Sequence, residues 1–316
     1  MSGGKKLAFL GLLFAAGVGI AFALHRGPAP PHSEPGEPGA AAEGRVPRRI
    51  VVATPSLVEC VYALGAGDRV VGVSGFATYP PQARAVAGVG GQVNPRLDRI
   101  LALRPDLLVV QGEAEKLADF ARQHAIPTLH LAMDSIEEVC ASLRRLGAAL
   151  GCEPQAERLV ARIRYQLAAV RLRVAGRPRP RVFLCTGHTP GSLRSLSTAG
   201  GGTFLSQLLG IAGGRNVFSD VGLPYPTVSK DQLVERAPEV IVELRPPMVP
   251  GRALSAAARR QLVADWARLP SLPAVRERHI HVLTDDFLLI PGPRMALTAE
   301  RLAEVLHPDA EPPDAP

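Results

Sequence analysis

The segments DRILALRPDLLVV (residues 98–110) and DQLVERAPEVIVE (residues 231–243) share one pattern, although they lie far apart in the chain. Each begins with an aspartate, continues with an amphipathic stretch and a proline followed by an acid, and ends in an apolar run. An aspartate is favourable in the first turn of a helix because that end of the helix dipole is positive, and a proline cannot continue the helix. Each segment therefore predicts a short helix followed by a buried strand, and their recurrence predicts two similar α/β lobes.

The same alternation of apolar runs and helical patterns extends over residues 49–283, which is typical of parallel α/β sheets. The predicted strands are residues 49–53, 70–73, 107–110, 128–131, 181–185, 217–218, 240–243 and 279–283. The predicted helices are residues 57–64, 97–103, 114–124, 136–150, 203–209, 231–236 and 256–269. Ser56 is the expected N-cap of the first helix. The segment 186–202, rich in Gly, Ser and Thr, predicts a long loop.

Between the two halves, apolar residues recur at three- and four-residue steps from Gln155 to Val174. This pattern predicts one continuous amphipathic helix of about 30 Å, at about 1.5 Å per residue. The predicted organisation is an N-terminal lobe (49–153), a linking helix (154–176) and a C-terminal lobe (177–307), with a parallel sheet in each lobe. Because a packed helix bends less readily than a loop, we expect a ligand cleft between the lobes that closes only slightly.

The first residues have the layout of an export signal. Lys5 and Lys6 precede an uncharged apolar run over residues 7–24, which ends in an A-x-A-like cleavage site. Residues 1–26 are therefore either a cleaved signal peptide or an N-terminal membrane anchor. Either alternative places the body in the periplasm or on the extracytoplasmic face of the inner membrane. Two further segments are predicted to lack a fold because of their Pro, Gly and acidic content, the linker 27–48 and the tail 308–316.

The composition is that of a globular protein, with 316 residues, 47% hydrophobic, 21% charged and a formal net charge of +7. The arginines are scattered and form no basic patch in the sequence, so we expect no nucleic-acid partner. The 4 cysteines are too few for a disulfide scaffold and lack metal-ligand spacing, so we expect buried free thiols and no structural zinc. The sequence contains no G-x-S-x-G, P-loop or H-E-x-x-H motif, and we assign no catalytic residue.

Aromatic residues are scarce, with 9 Phe, 4 Tyr and 1 Trp. Four of them fall in loops expected at the carboxyl ends of strands, namely Phe76, Tyr79, Tyr225 and Phe287. Such aromatic faces favour a large flat or macrocyclic ligand, and packing within the turns is the competing interpretation. His188, in the predicted loop, is a candidate axial ligand to a bound metal chelate or a plain surface residue. The pair Asp285 and Asp286 could hold a cation, orient a polar ligand or simply be solvated.

Several stretches together resemble a known family. They are residues 49–59 (RIVVATPSLVE), 71–74 (VGVS), 79–81 (YPP), 89–95 (VGGQVNP), 104–108 (RPDLL), 223–229 (LPYPTVS) and 283–286 (LTDD). The chain is similar to the periplasmic solute-binding proteins of ABC importers for vitamin B12, haem and ferric siderophores, and most similar to the BtuF-type, cobalamin-binding branch. The resemblance covers residues 49–307 and implies two lobes joined by one rigid helix.

The resemblance also implies roles for individual residues. Asp98 and Asp231 match two glutamates of the family that dock onto arginine pockets of the membrane permease, with a side chain shorter by one methylene. The ligand contacts that it implies are Phe76, Gln92, Gln111, Tyr225, Asp286 and Phe287. Gln92 and Gln111 stand where the cobalamin-binding branch has tryptophan, which leaves the exact ligand open.

We therefore expect a monomeric, non-catalytic protein that captures a corrinoid, cobalamin first, and delivers it to the permease subunits of an ABC importer. We expect no resident cofactor or metal. Within the family, haem or ferric-siderophore capture is the alternative, and a siderophore would favour a basic cleft residue such as Arg294. From another class, a membrane-anchored metal-dependent enzyme would use Asp285 and Asp286, although third and fourth ligands are missing from the sequence. A sensor or scaffold subunit with the same fold is the remaining alternative.

Overall fold

The computed structural model describes residues 45–247 and 253–310. Within them the chain forms two compact units. We call residues 45–164 and 290–293 the N-terminal unit, and residues 165–247, 253–289 and 294–310 the C-terminal unit. The predicted signal or anchor segment 1–26 lies outside the described residues, as do most of the linker 27–48 and most of the tail 308–316.

The N-terminal unit contains a five-stranded sheet in which all paired strands are parallel, as the alternating pattern predicted. Its strands are β1 (Ile50–Val52), β2 (Val70–Val73), β3 (Ala87–Gly88), β4 (Leu107–Gln111) and β5 (Thr128–Leu131). Their spatial order is β3-β2-β1-β4-β5. The central strand β1 is fully buried because helices cover both faces of such a sheet, which is why its residues are all branched and apolar.

The helices of this unit follow the predicted ones closely. They are α1 (Pro55–Ala63), α2 (Leu97–Ala102), α3 (Glu115–Gln123) and α4 (Ile136–Leu150), with short 3₁₀ turns at Gly67–Arg69 and Pro81–Ala85. Helix α4 has the predicted bounds for local reasons. Ser135 and Glu138 form a reciprocal capping box at its start, and Gly151 takes the left-handed conformation (φ 64°) that ends it.

The C-terminal unit contains a six-stranded mixed sheet. Its strands are β6 (Arg181–Thr189), β7 (Arg194–Thr198), β8 (Arg215–Asn216), β9 (Thr227–Val228), β10 (Val240–Leu244) and β11 (Ile280–Leu283). The order is β11-β10-β6-β7-β9, with β8 paired to the start of β6. Strands β6, β10 and β11 are parallel, whereas β7 runs antiparallel to both of its neighbours.

Two sequence predictions for this sheet are wrong. The predicted loop 186–202 is largely a hairpin, because β6 continues to Thr189 and the chain returns as β7, pairing Gly187 with Ser197. The sheet is therefore not purely parallel. The strand predicted at residues 217–218 lies instead at β8, two residues earlier, where Arg215 pairs with Arg181.

Helix α5 (Glu153–Arg173) has 21 residues and confirms the continuous helix predicted over this part of the chain. The division between the two units falls within it, after Arg164. The C-terminal unit continues with α6 (Phe204–Ile211), α7 (Lys230–Arg236), α8 (Ala256–Asp265), a 3₁₀ turn (Trp266–Arg268), α9 (Pro273–Arg276) and α10 (Met295–Leu306). The single helix predicted over 256–269 is thus α8 followed by a tighter turn. Every helix within residues 45–247 and 253–310 is too short or too polar to span a bilayer.

The recurrence of the two quoted segments corresponds to a recurrence of topology. The strand order of the first sheet maps onto that of the second, with β3, β2, β1, β4 and β5 matched by β9, β7, β6, β10 and β11. In each unit a short helix joins an outer two-residue strand to the strand on the other side of the central one. Helix α2 joins β3 to β4, and α7 joins β9 to β10. Asp98 and Asp231 both lie in the first turn of this helix. The two lobes predicted from the sequence are confirmed, and the two aspartates occupy equivalent places in them.

Candidate functional site

In parallel sheets, ligands bind where the loops leave the carboxyl ends of the strands. In the N-terminal unit this edge brings together Gln92, which follows β3, and Gln111, the last residue of β4. The side-chain amide of Gln92 makes two hydrogen bonds with the backbone of Gln111. Nε2 of Gln92 donates to the Gln111 carbonyl oxygen (2.6 Å), and Oε1 of Gln92 accepts from the Gln111 N–H (3.0 Å). This clamp fixes the loop after β3 against the end of β4.

Ser56 also belongs to this edge, which corrects its predicted role. Helix α1 begins at Pro55, so Thr54 occupies the cap position, and no side chain caps the helix. The Ser56 hydroxyl donates instead to Oε1 of Gln111, at 2.9 Å. Pro55 has no N–H, so one of the backbone donors that lack a partner at the start of a helix is absent here. A capping side chain is therefore less important for this helix. Ser56 is therefore available to orient the Gln111 amide.

Phe76 lies at the same edge and remains 52% exposed. Its ring rests on Gly91, where a Cβ atom would stand 2.8 Å from the ring carbon Cε2. A side chain at position 91 would therefore displace the Phe76 ring from its place beside the segment that carries Gln92. Val93, 66% exposed, and Tyr79 are the other large exposed apolar side chains on these loops. The sequence did not single out Val93. Exposed apolar side chains clustered in loops of this kind indicate a binding surface.

In the C-terminal unit, the loop after β11 brings together Asp286, Phe287 and Arg294. The Arg294 guanidinium donates to Asp286 at 2.7 Å and lies 5.7 Å from the centre of the Phe287 ring. Both contacts are within the range of favourable ion-pair and cation–π geometry. Asp286, Phe287 and Arg294, which were predicted separately from the sequence as ligand contacts, therefore form one polar and aromatic group.

The neighbouring carboxylates Asp285 and Asp286 do not converge. Asp285 lies 3.3 Å from Arg301, whereas Asp286 contacts Arg294. A metal ion needs several ligand oxygens directed at one point. Each carboxylate is directed at its own arginine instead, and this geometry gives no support to a metal-dependent active site at the pair.

Tyr225 lies in the segment that leads into β9. Strands β9 and β11 are the two outer strands of this sheet, on opposite sides of it. The two outer strands are four inter-strand steps apart, on the order of 19 Å at about 4.8 Å per step. The structure therefore does not bring Tyr225 together with Phe287. A single ligand that touches both must be large.

The segment that carries Tyr225 is held by glycines of the loop after β7. The Gly200 N–H donates to the carbonyl oxygen of Pro224, at 2.8 Å. A Cβ atom at Gly200 would stand 2.0 Å from the Leu223 carbonyl oxygen, whereas a Cβ atom at Gly222 would meet nothing within 4 Å. This close approach of two backbones explains the glycine at position 200.

Substitution of Gly200 by alanine should destabilise the protein and displace Tyr225. We expect Gly200→Ala to lower the free energy of unfolding by about 1–3 kcal/mol, because the new methyl group meets backbone that cannot rotate away. Chemical denaturation measures the loss. Gly222→Ala, in open space nearby, is the matched control and should change stability little. Equal effects of the two substitutions would contradict this explanation.

The prediction that His188 lies in a loop is wrong. His188 is part of β6, and its side chain is fully buried. Its Nε2 lies 2.8 Å from Oε1 of Glu243, and its Nδ1 lies 3.1 Å from the Thr189 carbonyl oxygen. Because both ring nitrogens have protein partners and no part of the ring is exposed, the structure does not present His188 to a ligand as an axial donor.

Glu243 is the centre of a buried polar network that sequence reasoning missed. Its Oε1 also accepts from Nε1 of Trp266 (2.7 Å), and its Oε2 accepts from Nε of Arg245 (2.7 Å). Burial alone raises the pKa of Glu243, but the His188 hydrogen bond and the Arg245 charge outweigh burial and hold that pKa below its ordinary value. The sequence contains one signal for this network, because Glu243 lies within the apolar run of β10. A charged side chain buried in such a strand requires polar partners.

The four cysteines are free and buried, as predicted. Within the described residues, only Cys185, His188 and Glu243 form a group whose ligand atoms all lie within 4.8 Å of one another. Burial raises the pKa of Cys185 well above its ordinary value. Arg245 donates to Oε2 of Glu243, and Trp266 donates to its Oε1. Both carboxylate oxygens therefore have protein donors, and Glu243 is held within a buried polar core.

Asp98 and Asp231 are both exposed at the start of their helices. The Asp98 side chain is 74% exposed, and its nearest cation is Arg96, at 3.9 Å. Exposed ion pairs at this distance contribute little, so the carboxylate stays available to another partner. Asp231 follows Ser229, whose hydroxyl caps the helix in a reciprocal box with Gln232. Asp231 is therefore not needed as a cap.

Comparison with known proteins agrees with this organisation. Residues 50–287 match the family described as periplasmic binding protein. A vitamin B12-binding protein of Salmonella paratyphi A is 30% identical over 260 residues, which cover 82% of this chain and 90% of the relative.

Solved structures of two kinds are similar. The periplasmic vitamin B12-binding protein BtuF of Vibrio cholerae is 26% identical, with a TM-score of 0.68 over 82% of this chain and 96% of that chain. A periplasmic heme-binding protein of Pseudomonas aeruginosa is 28% identical, with a TM-score of 0.71 over 86% of this chain and 96% of that chain. The match to the family spans most of the chain and nearly every element described above, and the chain belongs to the periplasmic binding protein family.

Proposed function

We propose that this protein captures a corrinoid, cobalamin first, outside the cytoplasm and delivers it to the permease of an ABC importer. The observation that carries the proposal is the exposed ring of Phe76, seated on Gly91 next to the Gln92–Gln111 clamp. A flat aromatic face beside fixed amide groups suits a large ring that bears polar side chains. The relatives named for vitamin B12 binding support the same ligand class.

The C-terminal unit supplies the second group of proposed contacts. Asp286 and Arg294 pair with each other beside Phe287, and Tyr225 lies at the far end of the same sheet. A ligand that uses all of these must be as wide as a macrocycle. Peripheral amides of a corrin can both donate and accept hydrogen bonds, so a carboxylate and a guanidinium side by side fit them.

Haem capture is the second candidate, and the heme-binding relative is the observation that favours it. Haem iron is usually held by an axial side chain of the protein. The residue proposed for that role from the sequence, His188, is fully buried and contacts Glu243. The haem alternative therefore needs a different axial ligand, which corrinoid capture does not.

The match to the periplasmic binding protein family supports binding without catalysis. The two aspartates after β11 are directed at separate arginines and do not converge on one point. Asp98 and Asp231 are proposed to contact the permease, because they are exposed acids in equivalent helices of the two units. Paired charge-assisted contacts with arginine suit this role.

Calorimetric titration of the full chain in mild detergent tests the proposal. Cyanocobalamin should bind, and Phe76→Ala should weaken its binding about tenfold through loss of the aromatic contact. Tyr165→Ala removes an exposed aromatic on α5 that lies at no strand end, and should leave the affinity unchanged. Binding of haem or a ferric hydroxamate without any binding of a corrinoid would contradict the proposal.

A further inference from the structure

Five exposed arginines lie at the edge of the C-terminal sheet from which its parallel strands start. Strands β6 and β8 begin with Arg181 and Arg215, and Arg278 stands two residues before β11. Arg177 and Arg179 belong to the short segment that joins the end of α5 to β6. We call these five residues the basic edge. The sequence does not display it as one patch, because its members come from three separate stretches of chain.

The positive charge of the basic edge has little compensation. Arg181 and Arg215 are direct partners across two parallel strands, so their side chains leave the same face of the sheet. Like charges in such a pair repel each other. Glu239, just before β10, accepts from the backbone N–H of Arg181 at 2.7 Å. Within residues 45–247 and 253–310, however, none of the five guanidiniums forms an ion pair with a carboxylate.

Backbone carbonyl groups hold some of these guanidiniums in place. Nη2 of Arg177 donates to the carbonyl oxygen of Asp309 at 3.0 Å, and Nη2 of Arg181 donates to the carbonyl oxygen of Arg236. A carbonyl oxygen orients a guanidinium without neutralising its charge. Because a guanidinium has five N–H donors, the others in each fork remain available to an anionic oxygen outside the protein.

An exposed leucine adjoins the basic edge. Leu172 lies in the last turn of α5 and is 75% exposed. Backbone hydrogen bonds from Ala175 to Leu172 (3.1 Å) and from Arg177 to Val174 (3.2 Å) turn the chain tightly between this leucine and the arginines. Apolar and basic side chains side by side are typical of surfaces that lie on anionic bilayers, where the apolar group enters the acyl boundary and the cations stay with the headgroups.

The basic edge and the proposed functional contacts lie at opposite ends of the same strands. Asp286 and Phe287 follow the carboxyl end of β11. Asp231 follows β9, which runs in the direction of β6 because both are antiparallel to β7. The arginines stand at the amino ends of these strands. Neither ligand capture nor contact of Asp231 with a permease therefore explains the basic edge.

We propose that the basic edge is a contact surface for an anionic phospholipid bilayer, on which the protein rests through arginine–phosphate contacts and the Leu172 side chain. The fork of a guanidinium matches phosphate oxygens in geometry and charge. A periplasmic protein meets the outer face of the inner membrane, and the formal net charge of +7 adds to the attraction. The contact is separate from the segment 1–26 and does not depend on which ligand is captured.

A fluorophore beside the basic edge tests this contact. The four native cysteines are buried, so the variant Ala175→Cys offers one exposed thiol for an environment-sensitive dye. The labelled full chain is mixed with vesicles of phosphatidylcholine alone, or of phosphatidylcholine and phosphatidylglycerol in equal parts. Emission should rise and shift to the blue only with the anionic vesicles, and added salt should weaken the response. A dye at Ala257→Cys, on α8, should not respond. Because each dye reports on its own surroundings, insertion of residues 1–26 into a vesicle does not produce the signal.

Substitutions at the basic edge should weaken the response in proportion to the charge removed. Arg181→Gln, Arg215→Gln should raise the lipid concentration at half-maximal response about tenfold or more, since each arginine near an anionic bilayer contributes about fivefold. The lysine pair Arg181→Lys, Arg215→Lys should keep most of the response. Arg194→Gln, Arg260→Gln removes two exposed arginines outside the basic edge and should leave it unchanged. Leu172→Ala should raise the half-maximal concentration about threefold.

An equal response to neutral vesicles, or an equal loss in the two glutamine variants, overturns the proposal. An unchanged response in Leu172→Ala also overturns it, because a soluble acidic partner would use the arginines without burying the leucine. If Arg181→Gln, Arg215→Gln fails to fold, Arg177→Gln, Arg278→Gln replaces it, and the same loss is expected.

Discussion

Cells that carry an Asp98→Ala, Asp231→Ala double variant should take up less than about a tenth of the corrinoid taken up with the wild-type chain, while the purified variant binds the ligand with unchanged affinity. The expectation follows from position. Both carboxylates are exposed, both lie in the first turn of the helix that precedes a central strand, and neither is needed as a helix cap. Labelled cyanocobalamin uptake and calorimetry measure the two halves of this result.

The matched control replaces two other exposed acids, one in each unit, in the variant Asp119→Ala, Glu277→Ala. It makes the same change in net charge away from α2 and α7, and uptake should remain close to that of the wild type. Loss of ligand affinity in the Asp98 and Asp231 variant would show that these residues belong to the ligand site, and the docking role would then be wrong.

Removal of Glu243 should have the largest effect on stability. Glu243→Ala leaves Arg245, Trp266 and His188 without their common acceptor in a buried place. Breaking a buried charged network from one side costs about 3–5 kcal/mol, because the remaining charge is left uncompensated. Urea denaturation at neutral pH measures this loss. Glu277→Ala, which removes an exposed glutamate of the same unit, should change the free energy of unfolding by less than about 0.5 kcal/mol.

The pH dependence of this effect has a defined sign. The pKa of folded Glu243 lies below its ordinary value, so folding favours the ionised carboxylate. Its contribution is complete above the pKa of the unfolded state, about 4.3, and is lost as the pH falls through the lower pKa of the folded state. Glu243→Gln mimics the protonated form. The stability difference between wild type and Glu243→Gln should therefore shrink below about pH 4, and a difference that grows in acid would contradict the network.

The elements that the sequence predicted best are those with local signals. Helix α4 has a capping box at Ser135 and a left-handed glycine at position 151, and its predicted and observed bounds agree. Strands β2 and β5 also match. Strand β2 (VVGV) is a short apolar run, and β5 (TLHL) alternates polar and apolar residues. These features depend on neighbours in the chain, which a sequence displays directly.

The elements that were missed depend on contacts across long distances in the chain. The hairpin of β6 and β7 consists of Gly, Ser and Thr-rich sequence, which has the composition of a loop, and it becomes a sheet only because Cys185 pairs with Thr198 and Leu196 with Val228. The two-residue strands β3 and β8 are too short to show any periodicity. Placement of His188 in a loop followed from that same error.

The residues at and near the candidate site also divide into those that were predicted from the sequence and those that were not. Phe76, Gln92 and Gln111 were named from the sequence, and the structure gathers them at one sheet edge. The buried network of Glu243, His188 and Trp266 was not named, because its members come from three separate elements. Only their hydrogen bonds identify them as one group.

A competition experiment distinguishes capture of a corrinoid by this protein from capture of haem. The full chain is mixed with equal amounts of cyanocobalamin and haem, separated from free ligand by gel filtration, and examined by its absorption spectrum. We expect the corrin bands to travel with the protein and haem to remain in the free fraction. Haem bands on the protein without corrin bands, or no ligand on the protein at all, would contradict corrinoid capture.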